Sequence, residues 1–334
     1  MPTESVAAAR LLKPLTLRDA GVLPALFVLL VAILSIAQPR FLGAENIINV
    51  LRDSSFLIIV SAGQMLVLIV GGFDLSVGAV IALSSVISSS AMANLTSAWA
   101  GEPGLVVTCG ILAGLGCGLV VGLANAFCVA VLRIPPFMAT LATMSLAEGG
   151  SLLLTNGIPV YGMPSFYVQG VGRAIILGFP VALYFAVVVA AALWFVLSMT
   201  RVGRYIYATG GNLQAAIVSG INTRAILTLA YVLSSVLAAL TGLLLTAEIG
   251  SGQATTGENL MLESIAAAVL AGVSLRGGVG RIELVALGAV FLRTLTNAMD
   301  LTRVDTRYQL IILGLVLAAS VSIETLARRE AARV

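Results

Sequence analysis

The sequence is organised around residues 201–224, RVGRYIYATGGNLQAAIVSGINTR, the longest weakly apolar interval in a chain otherwise made of apolar spans. Asn212 is a favourable N-cap residue and Gly220 a typical helix stop, so a short helix is predicted between them, after a Gly-Gly turn at 210–211. A simple connector needs only a handful of residues. We therefore interpret this interval as a docking element for another protein, with a plain solvated loop as the alternative.

The composition on both sides of this interval indicates a membrane protein. Of the 334 residues, 59% are hydrophobic and only 10% are charged, whereas a soluble domain has about 25% charged residues. Ten spans of about 20 residues would use most of the chain. The sequence therefore predicts an all-α, polytopic membrane protein of about ten transmembrane helices, some of them short or broken near a pathway. A single lysine, Lys13, and no basic cluster argue against nucleic-acid binding.

The predicted domains are a cytoplasmic N-terminal tail at 1–20, a transmembrane permease domain at 21–325 that contains the 201–224 loop, and a cytoplasmic C-terminal tail at 326–334. The ten predicted spans are 22–37, 56–70, 77–93, 105–131, 137–154, 175–199, 225–247, 262–273, 284–296 and 308–323. The first span is interpreted as uncleaved, because it is longer than the apolar region of a signal peptide. Short spans, above all 262–273, are typical of helices that line a pathway.

The distribution of basic residues predicts the orientation. Most of the 18 lysine and arginine residues fall on one side when the spans alternate. That side is then cytoplasmic, and it holds both termini and the 201–224 loop. The loops at 156–160 and 250–254 face outwards. Four glycines spaced four apart, Gly110, Gly114, Gly118 and Gly122, predict close helix packing, within one subunit in preference to a dimer seam.

Two similar turns, GGFDLSVG at 71–78 and AGVSLRGG at 271–278, predict related corners where a helix breaks or re-enters the membrane. Asp74 has two interpretations: a cap that accepts backbone N–H bonds near Val77, which we favour, or a charged group at an inner gate. Ser76 and Ser274 are weaker gate candidates. Four further acids lie near span ends and are expected to pair with cations or reach water rather than contact substrate: Glu148, Glu248, Glu263 and Glu283.

Several kinds of chemistry have no support in the sequence. Histidine is absent, the only lysine lies in the N-terminal tail so that no phosphate-binding loop exists, and the three cysteines lack metal-ligand spacing. We therefore expect neither an enzyme nor a cofactor. The span interiors are nearly free of the acids and histidines of proton-coupled carriers. Energy for active transport then has to come from a partner.

The sequence resembles the ribose-type sugar permeases of ATP-binding cassette importers over nearly the whole chain. The motifs that carry this resemblance lie mainly in the loop and the two corners. The matching motifs are GRYIYATGGN with AA and SGI in the loop, GGFDLSVG and the 271–280 turn at the corners, and PPFMATLATM at 135–144. Gln214 departs from the usual Glu, and Ala271 replaces a Gly. The resemblance places ATPase docking on the following residues: Gly203, Arg204, Gly211, Asn212, Gln214, Ala215, Ala216, Ser219 and Gly220.

By the same resemblance, the chain is expected in the bacterial cytoplasmic membrane as one permease copy of a homodimer or close heterodimer. Its other partners would be cytoplasmic ATP-binding subunits, an external solute-binding protein and membrane lipid. The cargo would be a small neutral solute, most readily a monosaccharide such as ribose. A nucleoside or a branched-chain amino acid is the alternative cargo. An ion-coupled carrier or a passive channel is the alternative class.

Overall fold

A computed structural model describes residues 23–99 and 101–331, and the predicted tail at 1–20 lies outside them. The helices are α1 (Leu23–Ala37), α2 (Ala44–Ile69), α3 (Val77–Ala98), α4 (Pro103–Ala126), α5 (Pro136–Thr155), α6 (Ser165–Tyr167), α7 (Val181–Met199), α8 (Arg201–Gly211), α9 (Leu213–Val218), α10 (Thr223–Ile249), α11 (Glu258–Leu270), α12 (Ile282–Leu301) and α13 (Thr306–Ala331). Wider π-helical turns extend α4 over Phe127–Val131 and α6 over Val168–Gly172.

The predicted all-α, polytopic class is confirmed. Within the described ranges, seven helices are long and apolar enough to cross a membrane: α2, α3, α4 with its extension, α5, α7, α10 and α12. The apolar helix α1 and the apolar part of α13, Thr306–Val316, are shorter. Each of the ten predicted spans contains a helix. Among the described residues, α1 has 15 residues and α11 has 13, fewer than a full crossing needs.

The expected span 175–199 begins too early. Ile175–Ile176 (β1) and Phe179–Pro180 (β2) form a two-stranded antiparallel hairpin, with Ile175 opposite Pro180. Pro180 is the N-cap of α7 and has an extended backbone, so the helix begins only after it. The apolar composition of 175–180 therefore belongs to a hairpin outside the helix.

Helix α2 lies at the centre of the fold. It packs against α7, α10, α11 and α12, and 89% of its most apolar window is buried inside the chain. The corresponding fractions for α4, α5 and α7 are between 22% and 28%. These three helices therefore form the periphery and present apolar surface to lipid or to another subunit.

The glycine column of α4 packs within the subunit, as predicted. A Cβ on Gly118 would lie 2.5 Å from the Ala239 side chain and 2.7 Å from the Ser235 carbonyl oxygen, both on α10. Gly122 faces α10 in the same way, and Gly110 faces Met92 on α3. The glycines thus allow α3, α4 and α10 to approach backbone to backbone.

Three of the four acids near span ends are paired, as expected. Glu263 on α11 pairs with Arg293 on α12. Glu248 lies 3.8 Å from Arg52 on α2, and Glu283 lies 3.8 Å from Arg281. Glu148 has no such partner among the described residues.

The two loops that were predicted to face outwards, 156–160 and 250–254, are more ordered than simple connectors. Val160 and Gly252 exchange backbone hydrogen bonds of 2.8 and 2.9 Å. Gly252 packs so tightly on α3 that a Cβ there would lie 1.8 Å from the Ser89 hydroxyl, and Gly257 contacts Ile81. Non-helical chain at 250–257 therefore runs beside a membrane helix, which is tolerated only where it is buried in protein or lines a cavity.

Candidate functional site

The predicted docking loop consists of two helices. Thr200 caps α8 by accepting the Gly203 N–H at 3.3 Å. The expected Gly-Gly turn at 210–211 is wrong, because both glycines form the last residues of α8. The chain reverses instead at Asn212, whose extended backbone ends α8 and begins α9.

The short helix predicted after Asn212 is confirmed as α9. The Asn212 side chain accepts the Ala215 N–H at 3.0 Å. At the other end Gly220 has φ +80°, and the Ile221 N–H reaches back to the Ala216 oxygen at 3.0 Å. This is a Schellman ending, for which glycine in the left-handed region is preferred.

The loop has an exposed face and an anchored face. Seven of the nine predicted docking residues are exposed, whereas Gly203 and Ala216 are buried. A Cβ on Gly203 would lie 2.4 Å from two backbone oxygens of α7, so this glycine allows the α7–α8 turn. Sequence reasoning missed the apolar residues of the exposed face, Leu213, Ile217 and Val218, the last with 88% of its surface exposed.

Glycines hold the end of α8 against both corners. The Gly278 N–H donates to the Ile69 carbonyl at 2.8 Å. A Cβ on Gly210 would lie 1.6 Å from that oxygen and 2.8 Å from the Gly278 nitrogen. The Tyr207 hydroxyl donates to the Gly280 carbonyl at 2.7 Å. Burial raises the pKa of Tyr207 to about 12, so that the hydroxyl keeps its proton.

The first corner, residues 70–76, is built on Asp74, which is fully buried. One carboxylate oxygen accepts the Ser76 N–H at 3.0 Å and the Ser76 hydroxyl at 2.6 Å, and the other accepts the Ser234 hydroxyl of α10 at 2.9 Å. Burial raises the pKa of the Asp74 carboxyl, while these hydrogen bonds act in the opposite direction. The N-cap of α3 is Ser76, two residues after Asp74, so the favoured cap hypothesis is wrong: the Asp74 carboxylate closes the turn that precedes the helix.

The hydrogen bonds continue from this corner into two more helices. The Asn125 side chain of α4 donates to the Ser76 hydroxyl at 2.8 Å. The Thr143 hydroxyl of α5 donates to the side-chain amide oxygen of Asn125 at 2.5 Å. Sequence reasoning missed Asn125, Thr143 and Ser234. Thr143 lies within the quoted 135–144 motif, but its contact with a residue 18 positions away leaves no signal in local spacing.

The second corner, residues 271–280, resembles the first with a shift of one residue. Gly71 and Gly272 both have positive φ and follow the last turn of a helix. The Ser274 hydroxyl accepts the Arg276 N–H at 3.2 Å, as Asp74 accepts from the second residue after it. The last helical residues, Ile69 and Leu270, are therefore 201 positions apart, whereas the polar acceptors Asp74 and Ser274 are 200 positions apart. Ser274, like Asp74 and Ser76, is completely buried.

A groove of about 550 Å³, including its open mouth, lies beside the first corner. Small residues of α3 form its floor, and α5 and α11, which both pack on α3, form its sides. The lining residues are Leu75, Gly78, Ala79, Ala82, Met144, Glu148, Ala254, Glu258 and Met261.

Together these features define a class of protein. The chain has apolar helices, an internal groove at membrane depth and an exposed two-helix loop fixed to two buried corners. These are features of a multi-pass membrane transport component. The chain belongs to the family described as "Branched-chain amino acid transport system / permease component", whose profile matches residues 46–321. It is therefore a non-catalytic inner-membrane permease of an ATP-binding cassette import system, which also includes an ATP-binding subunit and a solute-binding protein.

Known relatives cover nearly the whole chain. The ribose import permease protein RbsC of Bacillus subtilis is 37% identical over 297 residues, which are 89% of each chain. RbsC of Escherichia coli K12 is 36% identical over 329 residues, covering 97% of this chain and 99% of the relative. The D-allose transport system permease protein AlsC of the same organism is 33% identical over 300 residues, 89% of each chain. No solved structure matches.

Proposed function

We propose that the chain forms the membrane pathway of an ATP-driven importer of a monosaccharide such as ribose. Similarity to permeases named for ribose and allose supports this cargo. Branched-chain amino acids, which the family description names, are the second candidate. An ion-coupled carrier or a passive channel no longer applies, because the family belongs to ATP-binding cassette systems.

The cargo is tested by uptake into proteoliposomes that contain the permease with its ATPase and binding protein. We expect ATP-dependent uptake of D-ribose, D-allose or D-fructose and none of leucine. Uptake of leucine alone would refute the sugar assignment. Neutral hydroxylated and amide side chains such as Ser84, Ser88 and Asn125, buried in α3 and α4, are consistent with an uncharged cargo.

The observation that supports ATPase docking is the exposed apolar edge of α9, on a loop fixed to both corners. Movement of α8 and α9 would be passed directly to the chain at 69–71 and 277–280. In this proposal the loop faces the cytoplasm, both termini lie on the same side, and a second permease copy completes the pathway. Asp74, Ser76 and Ser274 then hold the inner corners in place rather than contact the cargo.

Docking is tested with two equally exposed residues, one at the end of α9 and one in the hairpin before α7. Val218 and Leu177 each expose 88% of their surface. We expect Val218→Asp to abolish co-purification of the ATPase without changing the yield of folded permease, because a charge would be buried in an apolar contact. Leu177→Asp, in the hairpin before α7, should leave co-purification normal. Equal recovery of the ATPase with both variants would contradict the proposed interface.

Two variants of the loop itself extend this test. Gly220→Val places a β-branched residue at φ +80°, which strains the end of α9, so the ATPase should again be lost. Gln214→Glu restores the acid usual in the resembling family at an exposed position and should leave assembly intact.

A further inference from the structure

Two carboxylates in the groove, the half-buried Glu148 and the exposed Glu258, have no side-chain partner among the described residues. Glu148 on α5 and Glu258 at the start of α11 both line it, and no described residue forms an ion pair or side-chain hydrogen bond with either. Glu263, also on α11, is by contrast paired with Arg293. The two groove acids are therefore exceptions to the pairing seen at other span ends.

The groove lies at membrane depth. Glu148 belongs to the apolar span Pro136–Thr155, and the groove floor is formed by the first turns of α3, another span. The chain leading to Glu258 runs beside Ile81 and Ser89 of that helix. A carboxylate at this depth is costly unless it faces protein partners or a water-filled cavity, and it marks a functional site by default.

A third polar group lies in the segment between two lining residues and has no partner among the described residues. Thr256 lies between the lining residues Ala254 and Glu258 and is only 7% exposed. Its hydroxyl has no hydrogen-bond partner within the described part of the chain. Buried polar groups normally have partners, so this segment has unused hydrogen-bonding capacity next to the groove.

We infer that the groove binds the transported sugar, with Glu148 and Glu258 accepting hydrogen bonds from its hydroxyl groups. An ionised carboxylate is an acceptor with two oxygens and about four lone-pair sites, so it suits adjacent hydroxyls. The floor of Gly78, Ala79 and Ala82 consists of small apolar residues, which suit the C–H face of the ring. This inference rests on the proposed sugar-import function and assigns the residues that perform it.

The first test removes each charge while keeping the side-chain size. In proteoliposomes with ATPase and binding protein, D-ribose uptake by Glu148→Gln and by Glu258→Gln should fall about tenfold or more, because hydrogen bonds to charged groups contribute about 1.5–3 kcal/mol each. Basal ATPase activity and subunit assembly should stay normal. The matched control is Glu102→Gln, an exposed acid before α4, which should transport normally.

The second test measures occupancy directly. In a chain whose three native cysteines are replaced by serine, Ala254→Cys, at a half-buried lining residue of the groove, should react with a thiol reagent, and D-ribose should slow that reaction. Adding Glu148→Gln should remove the protection. Normal uptake by both glutamine variants, or loss of ATPase assembly in them, would overturn the inference while leaving the sugar importer intact. A wild-type complex that takes up no sugar would instead refute the proposed function.

Discussion

Substitution of Gly210 by alanine tests the connection between the docking loop and the two corners. The new Cβ would lie 1.6 Å from the Ile69 carbonyl oxygen, and this contact has to open to at least 3.0 Å. The two nearest atoms, the Ile69 oxygen and the Gly278 nitrogen, belong to the backbone, so no side-chain rotation can relieve the clash. The movement would break the 2.8 Å hydrogen bond from the Gly278 N–H to the same oxygen. A buried donor left unpaired costs about 1–3 kcal/mol.

The matched control is the next residue, Gly211, where a Cβ would meet nothing within 4 Å. Thermal unfolding of both purified variants should show a lower Tm for Gly210→Ala and an unchanged or higher Tm for Gly211→Ala, because alanine favours helix. In the assembled complex, Gly210→Ala should also lose stimulation of the ATPase by the binding protein. Equal Tm values for the two variants would refute the close contact of α8 with Ile69.

Three further results are expected. Asp74→Asn should keep near-normal uptake, because an amide side chain can hydrogen-bond to the same two serines. Asp74→Ala should lower the free energy of unfolding by about 1–3 kcal/mol for each donor left unpaired. Inactive but abundant Asp74→Asn protein would make the charge itself essential. Gly118→Ala should lower the Tm by displacing α10, while Gly116→Ala, in open space, should not. In a cysteine-free background, Asn212→Cys should be labelled only from the cytoplasm and Gly101→Cys only from outside; the opposite result would invert the proposed orientation.

Features that depend on local spacing were predictable from the sequence. The apolar spans, the N-cap at Asn212, the helix stop at Gly220 and the packing role of the α4 glycines all follow from residue type and period. The same reasoning failed at 210–211, where two glycines indicated a turn. The small size of Gly210 serves the contact with Ile69 instead, and that contact joins parts of the chain about 140 positions apart in sequence order.

The candidate site was only partly predictable for the same reason. Asp74 was conspicuous because an acid among apolar spans is rare, but its partner Ser234 comes from another helix, and so does Asn125, which contacts Ser76. Glu148 was expected to behave like Glu248 and Glu263, since all three lie near span ends. Only the packing of α5 and α11 around α3 shows that Glu148 faces a groove rather than an arginine.

The shortness of α11 has a consequence for how the protein is made. Its 13 residues extend about 20 Å at about 1.5 Å per residue, less than the hydrocarbon thickness of about 30 Å, and they include two glutamates. Acidic residues oppose insertion of a nascent helix by the translocon. Helix α11 is therefore poorly suited to enter the bilayer alone, and we expect it to be retained there through α12, whose Arg293 neutralises Glu263. A nascent chain truncated before α12 should leave α11 outside the membrane.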